Sequence, residues 1–284
     1  MALYDRIGRN YAAFRRPDRR IASAIDAALG DALRVVNVGA GAGSYEPPGR
    51  TVLAVEPSDV MIRQRPPGAA PCLRGAAEAL PLATAAVDAA MALLSLHHWT
   101  DRERGLGELA RVARKRVVLL TWVPDAAPFW LTADYFPEIA AHDRTIFPGA
   151  AALCALLERV IGPVQMAPVP VPHDCTDGVL GAYWRRPEAY LNAERRSVMS
   201  SFARIDAGAG LAQLRADLSS GRWAARNAHL LAMDTLDIGY RLVRCEIGAR
   251  DGAPVTADAS AVQSAANSVA GHAAPGNDAA GSAR

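Results

Sequence analysis

The feature that most constrains this chain is the segment Val35-Val36-Asn37-Val38-Gly39-Ala40-Gly41-Ala42-Gly43. An apolar run of strand character enters a glycine-rich turn. Glycines there permit tight backbone angles and let a ligand approach the main chain closely. The next apolar run starts at Thr51 and ends at Glu56, seventeen residues after Gly39. An acidic residue at that strand end can accept hydrogen bonds from a ribose diol. Together the two features predict a nucleoside in the crevice above the strand ends of a parallel sheet.

The same loop excludes several nucleotides. A dinucleotide fingerprint needs G-x-G-x-x-G and a helix N-terminus facing the pyrophosphate. Here the spacing is G-x-G-x-G, Ser44 takes the last position, and Tyr45-Glu46-Pro47-Pro48 is poor for such a helix. Glu46 would also repel phosphate. No G-x-x-x-x-G-K-[ST] occurs, which argues against nucleoside triphosphates. A ligand with a ribose and no phosphate fits best.

Apolar runs at 34–38, 51–55, 71–75, 87–95 and 116–122 read as strands buried on both faces. Leu106, Leu109, Ala110 and Ala113 form a helical stripe between the last two. Ile21, Ile25 and Leu29 recur at four-residue spacing behind Asp18, a residue suited to cap a helix. This alternation predicts an α/β fold with helices on both faces of a parallel sheet. After Trp122, four prolines (Pro124, Pro128, Pro137 and Pro148) punctuate an aromatic-rich stretch. A helix over 150–161 should stop at Gly162-Pro163. Residues 164–171 read as an edge strand because of their internal prolines. Residues 177–233 read as helices and 236–246 as the last strand. From Ala249 the chain has no Phe, Trp or Tyr, so 249–284 is expected to be a disordered tail.

With 284 residues, 51% hydrophobic, the chain can build a sizeable core. A net charge of +2 gives no field that would pull it onto nucleic acid. The four cysteines form no CxxC pair and no zinc spacing, so reduced thiols and a cytoplasmic location are expected, without a metal. The N-terminus has no apolar signal region, and the most apolar stretch, 87–96, is cut by Asp88 and too short to span a bilayer.

Further segments in order carry a resemblance. Glu56-Pro57-Ser58 with Met61 matches acidic-x-S-x-x-M, and Gly75-Ala76-Ala77-Glu78-Ala79-Leu80-Pro81 matches G-x-A-E-x-L-P. Val87-Asp88 through Leu96-His97-His98-Trp99 matches a fourth strand and its loop, and Glu108-Leu109-Ala110-Arg111-Val112 matches E-x-x-R-V. With the glycine loop, these resemble the class I S-adenosylmethionine-dependent methyltransferases, nearest the type 11 branch of ubiquinone-biosynthesis-like, small-molecule enzymes. The resemblance covers roughly residues 1–123. It implies a Rossmann-like, doubly wound seven-stranded sheet with an antiparallel last strand. Residues 1–33 would form an N-terminal helical lid, 34–248 the methyltransferase domain, and about 177–233 a helical acceptor-site insertion.

The resemblance implies S-adenosyl-L-methionine as cofactor and a small-molecule methyl acceptor, with no nucleic-acid or membrane partner. A nucleic-acid or protein methyltransferase, or a non-catalytic cofactor-binding protein, are the alternatives. Expected cofactor contacts are Gly39, Ala40, Gly41, Gly43, Glu56, Pro57, Met61, Ala77, Glu78 and Ser95, with Tyr4 and Tyr11 from the N-terminal helix. His98 and His173 are the catalytic candidates, an unperturbed imidazole titrating near neutral pH. His97 reads as a loop histidine packed on Trp99, and Arg15-Arg16 and Arg19-Arg20 as a solvated helix start. His173, Asp174 and Trp184 are expected at the acceptor pocket, with Asp174 and Asp177 alternatively capping the next helix. Three departures from the family pattern stand out. Ala76 lacks the polar group that would bind the adenine amine, the crossover 43–51 is short, and Ala113-Arg114-Lys115-Arg116 replaces R-P-G-G.

Overall fold

The computed structural model describes residues 11–248, with side chains from residue 13 onward. Tyr4, the Tyr11 side chain and the tail 249–284 lie outside the described residues.

A short turn, α1 (Tyr11–Phe14), precedes α2 (Arg19–Leu29). Asp18 caps α2 by accepting from the Arg20 N–H, and Gly30 at φ 55° ends it. Ile21, Ile25 and Leu29 are its buried face, as their spacing predicts. They pack with Val35, Met91, Val118 and Leu120 of the sheet. From Arg19 onward the expected lid is therefore a layer of the sheet, because an apolar stripe of this width needs a large apolar face.

The strands follow as β1 (Arg34–Val38), β2 (Thr51–Glu56), β3 (Cys72–Arg74), β4 (Val87–Leu93), β5 (Ala113–Trp122), β6 (Val164–Pro168), β7 (Val171–Pro172), β8 (Thr235–Leu236) and β9 (Tyr240–Glu246). Seven form one sheet in the order β3-β2-β1-β4-β5-β9-β6. Pairing is parallel except at β9, which is antiparallel to both β5 and β6. The expected seven strands and antiparallel last strand are thus present. β1 and β4 are neighbours whose connections leave in opposite directions, and the crevice at their carboxyl ends is the ligand position of such sheets.

On the other face, α4 (Arg102–Val112), capped by Asp101, and α6 (Ala150–Val160) cover Val36, Ala90, Val117 and Val243. The short α3 (Asp59–Arg63) follows β2, capped by Ser58. Asp88, which interrupts the most apolar run, accepts from the Leu33 and Arg34 N–H groups and from Arg114, so it ties three strands at their amino ends. The short crossover after Gly43 holds turns and no helix, as its length predicts.

Beyond β5 the structure corrects the sequence reading. The strand expected over 164–171 breaks after Pro168, and β7 leaves the sheet to pair with β8. The last strand divides at Gly239, whose φ of 101° turns the chain. Residues 177–233 are mostly 3-10 turns and one-turn helices, α7 (Ala193–Ser197) and α9 (Arg222–Arg226), around a single longer helix, α8 (Gly208–Ser219). The proline-punctuated stretch holds α5 (Pro137–Ile146). The two regions share an aromatic core: the Trp130 ring meets Tyr135, Tyr190 and Trp223 edge-on at 5.9, 5.8 and 5.2 Å. Trp184 belongs to this core, fully buried, its indole N–H donating to the Val171 carbonyl at 2.9 Å. No helix among the described residues is long and apolar enough to cross a membrane.

Candidate functional site

Two adjoining cavities lie over the carboxyl ends of β1, β2 and β4. The larger, about 530 Å³, is walled by the glycine loop, the end of β2 and the loop after β4. The smaller, about 100 Å³, lies between the β4 loop, α5 and the insertion. Arg15, Leu94 and His97 line both.

The glycine loop is built for close approach. Gly39 has φ 69°, and a Cβ there would stand 2.5 Å from the Ser95 Cβ. Its N–H donates to Val55 at 2.9 Å, which pins the loop to β2. Gly41, at φ 55°, donates its N–H to Glu56 Oε2 at 2.8 Å, and Glu56 Oε1 accepts from the Ser58 N–H at 3.0 Å. Two backbone donors thus fix a buried carboxylate at the end of β2, where it faces the larger cavity. Glu46 makes no phosphate-repelling surface: Arg65 neutralises it in an ion pair of 2.7 Å, both side chains largely buried.

Of the residues expected at the cofactor, Gly39, Ala40, Gly41, Glu56 and Pro57 line the larger cavity. Met61, Ala77, Glu78 and Ser95 line it as well. Gly43 does not; at φ 90° it shapes the turn, and a Cβ there would press on Arg65. Glu78 also fastens the rim, since its carboxylate accepts from the Thr100 and Asp101 N–H groups at 2.8 and 3.2 Å. Ser95 donates to the Val38 carbonyl at 3.0 Å and so joins the ends of β1 and β4.

The loop after β4 carries the strained backbone of the site. Leu94 sits at φ 53°, a conformation that a branched apolar side chain rarely adopts and that such sites tend to concentrate. It delivers His97 and His98 on a 3-10 turn, with both rings on the larger cavity. Burial holds the His98 imidazole down at about 4. Burial first, and the neighbouring His98 ring second, holds His97 well below the usual histidine range. Both are therefore neutral near pH 7. The ring of His97 packs against Phe147 at 4.5 Å, and its Nδ1 is buried without a hydrogen-bond partner among the described residues. His97, read from sequence as a packing residue, is the histidine at the junction of the cavities; His98 reaches only the larger one.

His173 lines neither cavity. Its backbone N–H donates to Asp234 beside the β7–β8 pair, and the adjacent Asp174 is exposed and paired with Arg20. Pro172 lies on β7, so the segment turns away from the β4 loop. The insertion reaches the smaller cavity instead through residues 178–181 and 198–201. Asp177 is no helix cap: buried, it accepts from Arg15 at 2.5 Å and from the Tyr45 hydroxyl at 2.9 Å. Arg15 is correspondingly buried against it rather than solvated. Arg15, His97 and Asp143 are among the cavity residues that sequence reasoning missed. For Asp143 a signal existed, its four-residue spacing from Ile139 on one helix face.

A family model described as a methyltransferase domain matches residues 36–121. A solved structure from Anabaena variabilis, provisionally described as a methyltransferase from an antibiotic biosynthesis pathway, is 35% identical. The match covers 82% of this chain and 98% of that one, with a TM-score of 0.76. A Thermotoga maritima S-adenosylmethionine-dependent methyltransferase, described as a possible histamine N-methyltransferase, shares the fold at 14% identity, 86% and 98% coverage and a TM-score of 0.53. So does phosphoethanolamine N-methyltransferase 2 of Haemonchus contortus in complex with S-adenosyl-L-methionine, at 12% identity, 82% and 53% coverage and a TM-score of 0.50. No curated protein matches the sequence. The domain match, and 35% identity over nearly the whole of the Anabaena chain, make this protein a member of the class I S-adenosylmethionine-dependent methyltransferases, with S-adenosyl-L-methionine as its methyl donor.

Proposed function

We propose that this enzyme methylates a small, largely apolar molecule, with the cofactor in the larger cavity and the acceptor in the smaller. The observation that carries this reading is the junction: two cavities of unequal size that share Arg15, Leu94 and His97. At about 530 Å³ the larger one falls in the range of small-molecule sites. The antibiotic-pathway description of the 35% identical relative supports a secondary metabolite as acceptor.

Bound S-adenosylmethionine supplies an electrophilic methyl group on a positively charged sulfur. The chain's own residues hold, orient and dehydrate. Gly39 and Gly41 let the backbone approach the ligand, and Glu56 accepts from the ribose hydroxyls. Pro57, Met61 and Ala77 pack the adenine, which Ala76 leaves without a side-chain hydrogen bond. The smaller cavity places the acceptor atom in line behind the methyl carbon, and such orientation alone supplies much of the acceleration. Neutral His97, with Nδ1 unpartnered among the described residues, can accept a hydrogen bond from an acceptor O–H or N–H and so orient it. The test is turnover of a secondary-metabolite panel by wild type and by Val179→Trp. That substitution fills the smaller cavity; it should abolish turnover and leave cofactor affinity unchanged. Full turnover by the filled variant would place the acceptor elsewhere.

A further inference from the structure

The smaller cavity contains one group that its fold does not need. α5 buries Ile139 and, one turn later, Asp143. Ile139 is 1% exposed and Asp143 6%. Side chains four apart share a helix face, so Asp143 occupies a position that would ordinarily be apolar. Its carboxylate has no hydrogen-bond or ion-pair partner among the described residues, although it lines the cavity. Other buried aspartates behave differently. Asp18, Asp88, Asp177 and Asp217 are all hydrogen-bonded or ion-paired.

A buried carboxylate without a partner is costly, and chains keep one chiefly where something else binds it. The groups around it do not supply that partner. Arg15 is held by Asp177, and His97 is neutral. Tyr240 shares the cavity as an un-ionised phenol. Arg204 acts on Asp143 from the insertion and offsets only part of the burial cost. The rest of the wall is largely apolar, including Trp122, Phe129, Phe147 and Ile238. Its volume of about 100 Å³ is on the order of one aromatic ring.

We propose that Asp143 is the acceptor-recognition residue, its carboxylate binding an ammonium or protonated ring nitrogen on an otherwise apolar, ring-sized acceptor. This rests on the methyl-transfer reading above and specifies its substrate class. A cation is favoured over a neutral hydroxyl because it neutralises the buried charge as well as hydrogen-bonding to it. An acceptor anion would be repelled. Asp143 lines only the smaller cavity, so the bound nitrogen serves as a handle away from the cofactor, while the reacting atom lies toward His97. Asp143 is thus a positioning and specificity residue.

The test uses the full chain with S-adenosylhomocysteine and three probes: benzylamine, benzyl alcohol and benzoate. Binding is followed by ligand-observed NMR, and S-adenosylhomocysteine is titrated separately by calorimetry. Benzylamine should bind at least about tenfold more tightly than benzyl alcohol, and benzoate more weakly than either. Asp143→Asn should remove the preference for the amine, leave benzyl alcohol and S-adenosylhomocysteine affinities unchanged, and melt at a higher temperature than wild type. A purely structural carboxylate would give the opposite melting shift. Equal binding of amine and alcohol, no probe binding, or a preference that survives Asp143→Asn would overturn the proposal. Failure of S-adenosylhomocysteine to bind would instead overturn the reading on which it rests.

Discussion

The phenol of Tyr45 donates to Asp177 Oδ2 at 2.9 Å and joins the turn after the glycine loop to the start of the insertion, 132 residues later. Tyr45 also accepts from the Asp18 N–H, and Asp177 also holds Arg15. One hydroxyl thus connects the N-terminal segment, the turn after the glycine loop and the insertion. Tyr45→Phe should leave Asp177 with a lost donor in a buried setting and lower stability by about 1–3 kcal/mol. Urea denaturation measures this; an unchanged midpoint would mean that the bond contributes nothing.

The ion pair of Arg65 with Glu46 braces the same loop from the other side. Arg65→Met strands a buried carboxylate and should cost about 3 kcal/mol or more, whereas Arg65→Met with Glu46→Leu should recover most of that loss. The expected pattern is non-additive, and denaturation of both variants checks it. Equal losses in the single and double variants would contradict it.

Asp143 and Asp18 should respond to acid in opposite directions. Burial pushes the Asp143 carboxyl up to about 6, so the folded protein holds that proton more tightly than the unfolded chain. Its unfavourable contribution is full above pH 6 and fades as pH falls toward 4. The Arg20 guanidinium holds Asp18 down at about 2, so its contribution is present above pH 4 and lost as pH falls through 2. Asp143→Asn should therefore exceed wild type in stability at pH 8, by up to about 3 kcal/mol, and match it at pH 4. A pH-independent difference would contradict the assignment.

His97 and His98 should stay neutral through the physiological range. Proton NMR of their ring C–H signals should show no titration between pH 5.5 and 8, unlike an exposed histidine near 6.5. A midpoint near 6.5 for either ring would show it open to water.

What was legible in the sequence follows from distance along the chain. The glycine loop and Glu56 lie on consecutive strands, so apolar runs and glycine spacing placed them without knowledge of the rest. The core strands were legible for the same reason, being buried on both faces. Asp143 shares a helix face with Ile139, but only the insertion, tens of residues later, closes over that face and makes it a cavity wall. Arg15 looks solvated until Asp177 arrives from 162 residues away. His173 lies away from both cavities because Pro168 and Pro170 divert the chain from the sheet before it. Trp184 fills the core instead, and an aromatic ring on a helix-like stretch reads the same whether it lines a pocket or packs inside.

The most direct measurement is calorimetric titration of S-adenosylmethionine into wild type and Glu56→Ala. The arrangement of Gly41, Glu56 and Ser58 predicts one cofactor per chain in wild type and an affinity at least about tenfold weaker in the variant, the loss of charge-assisted ribose hydrogen bonds. NAD should give no heat. A folded Glu56→Ala protein that binds S-adenosylmethionine as tightly as wild type would contradict the placement of the cofactor in this cavity.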